Sequence, residues 1–249
     1  MYTDCNSKNI CYDYPMTKFP ENHAYYEIVN NLLARLDYIR IQPETILIVG
    51  FEMECVVKKL QERYPSAQIK NIIDLKLLDQ LENNSHDFIF SHFSLLNARE
   101  PLYLVQQFWR ILREEGLLLL TSLGPDSFFE LRESSSDFLA TNFVDMHHVG
   151  DWLRQLHFSD PVVDREEIII AYDNTDLLLE DLKIINSIDK NKWQAILPHY
   201  EKYKTENYFP VTLEIIYGHG WKIKIPENDD ESFDEVFIRV DSIKLSKAP

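Results

Sequence analysis

Between Thr45 and Leu123 short apolar runs alternate with amphipathic stretches, and this alternation limits the possible folds more than any other feature of the chain. Thr45–Gly50 (TILIVG) is a continuous apolar run, as expected of a strand covered on both faces. Met53–Arg63 reads as a helix that ends before Pro65. Gln68–Asp74 reads as a second strand, His86–His92 (HDFIFSH) as a third, Pro101–Arg113 as a helix and Gly116–Leu123 (GLLLLTSL) as a fourth strand. Strands alternating with helices argue for a parallel sheet built from right-handed crossovers. Upstream, Tyr25, Ile28, Val29, Leu32, Leu33 and Leu36 recur at three and four, so Asn22–Leu36 is expected to be an amphipathic helix, with Pro43 closing the segment.

Beyond Leu123 the rhythm changes. GPDSFFELRESSSDF reads as a turn leading into a polar helix, and Asp145–Leu156 as a further helix. Val162–Tyr172 is expected to be a strand pair or one bent strand. Leu177–Ile188 and Lys190–Tyr203 read as helices, and Thr212–Tyr217 (TLEIIY) as a strand before GHGW. The stretch PENDDESFDE is acidic, and VFIRVDSIKL behind it has the pattern of another strand.

Charge narrows the function classes. Asp and Glu number 41 against 25 Lys and Arg, for a formal charge of −16, and a field of that sign repels nucleic-acid phosphates and anionic membranes. Neither nucleic acid nor a membrane is an expected partner. Cys5, Cys11 and Cys55 form an odd set without CxxC pairing, which supports neither a disulfide framework nor a thiolate metal site and suits a reducing, cytoplasmic setting. The N-terminus lacks a basic start followed by an apolar core, and no window approaches the roughly 18 apolar residues of a span.

Four stretches in order carry a resemblance: RILREEGLLLLTSLGPDSFFELR (Arg110–Arg132), FVDMHHVGDWLRQLHFSDPVVD (Phe143–Asp164), LLLEDLK (Leu177–Lys183) and TLEIIYGHGW (Thr212–Trp221). Together with the weaker LDYIRIQPETILIVG, the chain resembles the malonyl-acyl-carrier-protein O-methyltransferases of biotin synthesis, within the class I S-adenosylmethionine-dependent methyltransferases. A complex I assembly factor belongs to the same broad group, so fold alone does not settle chemistry. The resemblance implies an α/β, class I methyltransferase-like (Rossmann-like), mostly parallel sheet with flanking helices and a helical lid insert. It implies seven strands, with the cofactor outside the carboxyl ends of the first ones. The implied reaction moves a methyl group from S-adenosylmethionine to the free carboxylate of malonyl on its carrier, a transfer that asks for alignment and exclusion of water more than acid–base chemistry. The expected organisation is an N-terminal helical segment (1–44), an α/β core (45–172), a helical insert (173–209) and final strands with an acidic tail (210–249).

The stretch ILIVGFEMECVV lies where the family's first strand ends in a pattern like LDLGCGTG. That alignment places the strand acid at Ile48, the first glycine at Gly50, and the second and third glycines at Glu52 and Glu54. Those glycines let backbone approach the methionine part of the cofactor closely. Glutamates there add bulk, and like charges beside the cofactor carboxylate cost on the order of 1–4 kcal/mol. The remnant cofactor positions are therefore Gly50, Phe51, Glu52, Asp74 and His92, with Asp74 either the acid for the ribose hydroxyls or a strand-end turn aspartate. Twelve residues, Leu75 to His86, separate Asp74 from Asp87, where the family places a helix, a strand and a loop against adenine. One crossover already needs about 10–12 residues. The sheet is thus expected to be shortened: a strand and a helix are missing after Gln68–Asp74, or that stretch is the third strand and the second has gone.

On the substrate side, Tyr12 and Tyr14 fall where the family closes an aromatic residue over its site, although tyrosines also serve as loop anchors. Ser122 and Gly124 frame a turn at a strand's carboxyl end and either line a pocket or only make the turn. Arg132 and Arg154 either hold a carboxylate bidentately or are solvated helix charges. Asp145, His147 and His148 read as a helix start rather than a metal site, and His219 as a structural histidine. No catalytic residue and no metal is assigned. The expected reading is a pseudo-methyltransferase that has lost S-adenosylmethionine binding and acts through a partner, an acyl carrier protein or an intact methyltransferase relative; the alternative is an active, divergent enzyme. Acyl carrier proteins are acidic, so a carrier would need a local basic patch, and Lys58, Lys59, Arg63 and Lys70 are the clustered cations.

Overall fold

A computed structural model of the chain describes residues 9–12, 24–50, 54–133, 143–185, 190–205 and 207–223. Their strands are β1 (Asn9–Tyr12), β2 (Thr45–Gly50), β3 (Gln68–Ile72), β4 (His86–His92), β5 (Leu112–Leu123), β6 (Phe158–Tyr172) and β7 (Phe209–Lys222). They form one sheet in the order β3-β2-β4-β5-β7-β6-β1. β2 pairs in parallel with β3 and β4, β4 with β5, and β1 with β6, while β7 runs antiparallel between β5 and β6. The helices are α1 (Ala24–Ala34), α2 (Glu54–Arg63), α3 (Pro101–Ile111), α4 (Phe129–Arg132), α5 (Met146–Gln155), α6 (Thr175–Ile185) and α7 (Lys190–Tyr200). This is the expected α/β, class I methyltransferase-like architecture, with α6 and α7 lying in sequence between β6 and β7.

The burial pattern accounts for the apolar runs. On β2, Ile46 and Ile48 pack with Ile28 and Leu32 of α1 and with Val56 and Leu60 of α2. Leu47 and Val49 face the other way, into a second core with Val105 and Phe108 of α3 and Val149 and Leu153 of α5. A strand with a core on each face has no solvent side, so TILIVG shows no polar alternation. β3 lies at an edge, and its Gln68, Lys70 and Asn71 are exposed.

The two readings of the short connection after Asp74 are now separated. Gln68–Ile72 pairs directly with β2, so it is the strand that follows the first one. After it comes only a short 3-10 helix, Leu75–Gln80, before β4. Twelve residues leave no room for a further strand and its crossover. The sheet still counts seven strands, because β1 joins β6 at the opposite edge.

Three boundaries differ from expectation for physical reasons. α3 stops at Ile111 and β5 begins at Leu112, because the Lys222 ammonium donates to the carbonyls of Trp109 and Leu112 at 2.9 and 2.7 Å and draws off the acceptors at the helix end. β7 continues through GHGW to Lys222 instead of ending at Tyr217. Its glycines are close approaches rather than breaks: a Cβ on Gly220 would sit 3.0 Å from Phe158 Cβ. β6 is one bent strand that starts at Phe158, with a register shift between Ser159 and Val162 where Asp160 has φ 47°. The polar helix expected after the GPD turn is α4, four residues long, before residues outside the described set. The strand expected at 236–245 also lies outside it.

Candidate functional site

In open α/β sheets ligands collect at the carboxyl ends of strands, where the strand order reverses. Here the chain leaves β2 for β3 on one side and the next strand, β4, lies on the other, so the reversal falls between β2 and β4. The floor of that crevice is one row of register partners: Gly50 beside His92, His92 beside Thr121, and Thr121 beside Tyr217.

Gly50 has φ +123°, and a Cβ built on it would lie 2.1 Å from the carbonyl oxygen of His92. The close passage of β4 therefore demands glycine here without any ligand. His92 is 2% exposed. Its Nδ1 lies 2.7 Å from the Thr121 hydroxyl, and its ring stacks on Phe93 at 4.1 Å. Burial pushes the imidazole pKa down to about 3, so His92 is neutral at physiological pH and supplies neither a cation nor a titrating base. Its folded pKa lies below the unfolded value of about 6.5, so its contribution to stability is present above that pH and is lost as pH falls. Urea midpoints measured from pH 7 to pH 4 are expected to fall more steeply for the native chain than for His92→Gln, and parallel slopes would contradict the neutral, buried imidazole.

Asp74 is exposed and caps the 3-10 helix, its Oδ1 accepting from the Lys76 N–H at 3.1 Å. It stands on the rim of a cleft of about 580 Å³ lined by Ile73, Leu75, Ala98, Tyr103 and Leu104. Glu54 is the exposed first residue of α2. Phe51, Glu52 and Tyr14 lie outside the described residues, and Tyr12 is placed only as a backbone partner of Tyr172 in β1. Ser122 is fully buried, and its hydroxyl has no hydrogen-bond partner among the described residues. Arg132 donates to the carbonyls of Pro125 and Ser127 and lies over the Phe143 ring at 5.5 Å; it secures the turn it follows. Asp145 caps α5 by accepting from the His147 N–H at 2.7 Å, and His148 stacks on Trp152. Burial depresses the pKa of His219. Among the described residues no three His, Cys, Asp or Glu side chains are grouped to hold a metal ion, and no helix is long and apolar enough to cross a membrane.

The structure brings together two motifs that sequence reading kept apart. The turn GPDS and α4 lie across the start of β7, and two buried glutamates lock them there. The Glu214 carboxylate accepts from the Asp126 N–H at 2.9 Å and from Arg165 at 3.1 Å, while the Ser127 hydroxyl exchanges hydrogen bonds with the Glu214 backbone. The Glu130 carboxylate accepts from the Thr212 N–H and hydroxyl at 3.0 and 2.6 Å, and burial raises its pKa. A Cβ on Gly124 would lie 2.2 Å from Glu214 Oε2. Gly124→Ala is therefore expected to cost about 1–3 kcal/mol by displacing that carboxylate. The cost should shrink to a few tenths in a Glu214→Ala background, and a double-mutant cycle showing additivity would contradict the lock.

A second polar cluster bolts α1 to the β6–β7 ribbon. Arg35 pairs with Asp164 at 2.7 Å and lies 4.3 Å over the Tyr217 ring, while Tyr217 and Asn31 donate to Glu166 at 3.1 and 3.2 Å. Sequence reasoning missed Glu130, Glu214, Arg35 and Tyr217. For Glu214 a signal existed, since a lone carboxylate inside the apolar strand TLEIIY requires a buried partner.

No family model matches the chain. Among curated proteins, malonyl-[acyl-carrier protein] O-methyltransferase 1 of Coxiella burnetii is 31% identical over 245 residues, covering 87% of this chain and 87% of that protein. The malonyl-[acyl-carrier protein] O-methyltransferases of Gallionella capsiferriformans and Legionella pneumophila are 29% and 30% identical, each over 79% of this chain and 83% of theirs. Among solved structures, the YcgJ protein of Bacillus subtilis superposes with a TM-score of 0.54 at 11% identity, over 79% of this chain and all of that one. Phosphoethanolamine N-methyltransferase 2 of Haemonchus contortus, in complex with S-adenosyl-L-methionine, gives 0.51 at 13% identity over 78% of this chain and 53% of its own. The [4+2]-cyclase SpnF gives 0.50 at 14% identity over 79% and 81%, so this fold alone does not fix a chemistry.

Proposed function

The chain belongs to the malonyl-[acyl-carrier protein] O-methyltransferase family, and from that premise we propose that it keeps the family scaffold, has lost its hold on S-adenosylmethionine, and serves biotin synthesis through a partner. The observation that carries this reading is the edge position of β3, followed by a single 3-10 helix where the family places the wall against adenine. The neighbouring groups are equally unsuited to the cofactor. Gly50 is accounted for by the passage of β4, and Asp74 is engaged as a helix cap. Glu52 and Glu54 set negative charge where the family has glycine. Like charges a few ångströms apart cost on the order of 1–4 kcal/mol, while Glu54, exposed and helical, carries no torsional penalty. That repulsion weakens binding about fivefold or more.

Of the two partners expected, the intact methyltransferase relative is favoured over the acyl carrier protein. The basic cluster on α2 is partly neutralised, with Arg63 paired to Asp37 at 2.7 Å, and the chain as a whole carries −16, which opposes an acidic carrier. The second reading, an active enzyme that converts malonyl-ACP to its methyl ester, draws on the Coxiella relative, whose match covers 87% of both chains. Complementation separates the two. Expressed alone in a biotin-requiring methyltransferase mutant, the chain is expected not to restore growth, whereas growth without biotin would overturn the loss of function. Copurification of a methyltransferase relative from the native host is the expected positive result.

A further inference from the structure

Among the described residues β3 has a neighbouring strand on one side only. Gln68 donates its N–H to Glu44 on the β2 side. Because successive residues of a strand alternate in hydrogen-bonding direction, Ile69, Asn71 and Ile73 present their N–H and C=O groups outward. β3 pairs with β2 without a register shift, and QIKNI contains no proline, so neither a bulge nor a proline blunts this edge. The exposed side chains along it are Gln68, Lys70, Asn71, Ile73 and Asp74, with Ile73 55% exposed.

We propose that this edge joins two copies of the chain, β3 pairing antiparallel with β3 of the second copy about a two-fold axis at Asn71. A two-fold interface sets one surface against itself, so the strand must complement its own reverse. The possible registers are few. An axis at Lys70 sets like charges directly opposite one another, which is destabilising. An axis at Ile69 calls on Ala67, whose N–H is committed to the Tyr64 carbonyl at 3.0 Å. An axis at Ile72 sets Ile69 against Leu75, where the chain has already turned into the 3-10 helix. The axis at Asn71 uses every outward residue of both strands. Asn71 faces Asn71, and Ile69 faces Ile73 of the second copy, each pair exchanging N–H···O=C bonds. Two isoleucines thus meet in each outer pair, and the exposed Ile73 is covered. Lys70 lies diagonal to Asp74 of the second copy, roughly 7–8 Å away along the backbone and within reach of a long side chain. The axis repeats that contact, so cation meets anion twice in a chain that is otherwise strongly acidic.

Sedimentation velocity and amide hydrogen exchange test the inference in the full chain, at physiological salt, where charges beyond about 8 Å are screened and the −16 of each copy repels least. The full chain is expected to dimerise reversibly, and exchange of the Ile69 and Asn71 amides to slow as concentration rises. Asn71→Pro removes an outward N–H and leaves the bonds to β2 in place; it is expected to be monomeric. Lys70→Glu is expected to weaken the dimer about tenfold or more, and Lys70→Glu, Asp74→Lys to recover most of that loss, because the diagonal contact is again between opposite charges. Protected amides from Phe88 to Phe90 in β4 show that each variant is folded, and if Asn71→Pro is not, the charge exchange decides. A full chain that stays monomeric would overturn the proposal. So would slow exchange at Ile69 and Asn71 that is independent of concentration, which would place another part of the same chain on the edge. A dimer left intact by Asn71→Pro and Lys70→Glu, or weakened equally by the single and double charge variants, would overturn it as well.

Discussion

Gly50→Ala is expected to destabilise the fold by about 3 kcal/mol or more, read as a lowered urea midpoint with an unchanged slope. Two costs combine. At φ +123° an L side chain is strained, and the new methyl would lie 2.1 Å from the carbonyl oxygen of His92, an atom of backbone fixed in the central pairing of β2 with β4. Neither strand can retreat, because each is packed on both faces by a separate core. A control lies on α5, where a Cβ on Gly150 meets nothing nearer than Val163 Cγ2 at 3.8 Å. Gly150→Ala is expected to be neutral or to stabilise by about 0.5–1 kcal/mol. Equal effects at the two glycines would remove the structural explanation for a glycine at position 50 without a ligand, and with it one support for the loss of cofactor binding.

The second large effect concerns the cofactor loop. If Glu52 and Glu54 were the sole obstacle, Glu52→Gly, Glu54→Gly would recover the factor of about five or more assigned to charge. It is expected not to give measurable S-adenosylmethionine affinity, because β3 is an edge strand followed only by the 3-10 helix Leu75–Gln80 where an adenine wall would stand. Removing Glu54, the acid of the first turn of α2, is also expected to cost a few tenths of a kcal/mol through lost favourable interaction with the helix N-terminus.

The sequence made the central architecture legible because β2, β4 and the apolar part of β5 are buried on both faces, and their continuous runs have no other reading. The shortened connection was legible as a length, since twelve residues cannot make two crossovers. Which strand had gone was not, because QIKNI suits an edge beside β2 as well as an edge one place further out, and only the pairing decides. β7 was cut short at Tyr217 because glycine reads as a strand end, whereas Gly218 and Gly220 admit Leu120 and Phe158 against the strand. The glutamate locks were invisible for another reason: Glu130 and Glu214 bond to groups 82 and 88 positions away, and no local pattern records a partner at that separation. His92 was counted among the remnant cofactor positions, but its side chain bonds Thr121 and stacks on Phe93, a packing role set by the row across the sheet.

Calorimetric titration of the purified chain with S-adenosylmethionine tests the central claim most directly. No heat of binding is expected at concentrations that saturate the intact methyltransferases of the family, and none from the variant with both glutamates replaced. A micromolar dissociation constant for the native chain would contradict the account and return it to the enzymes.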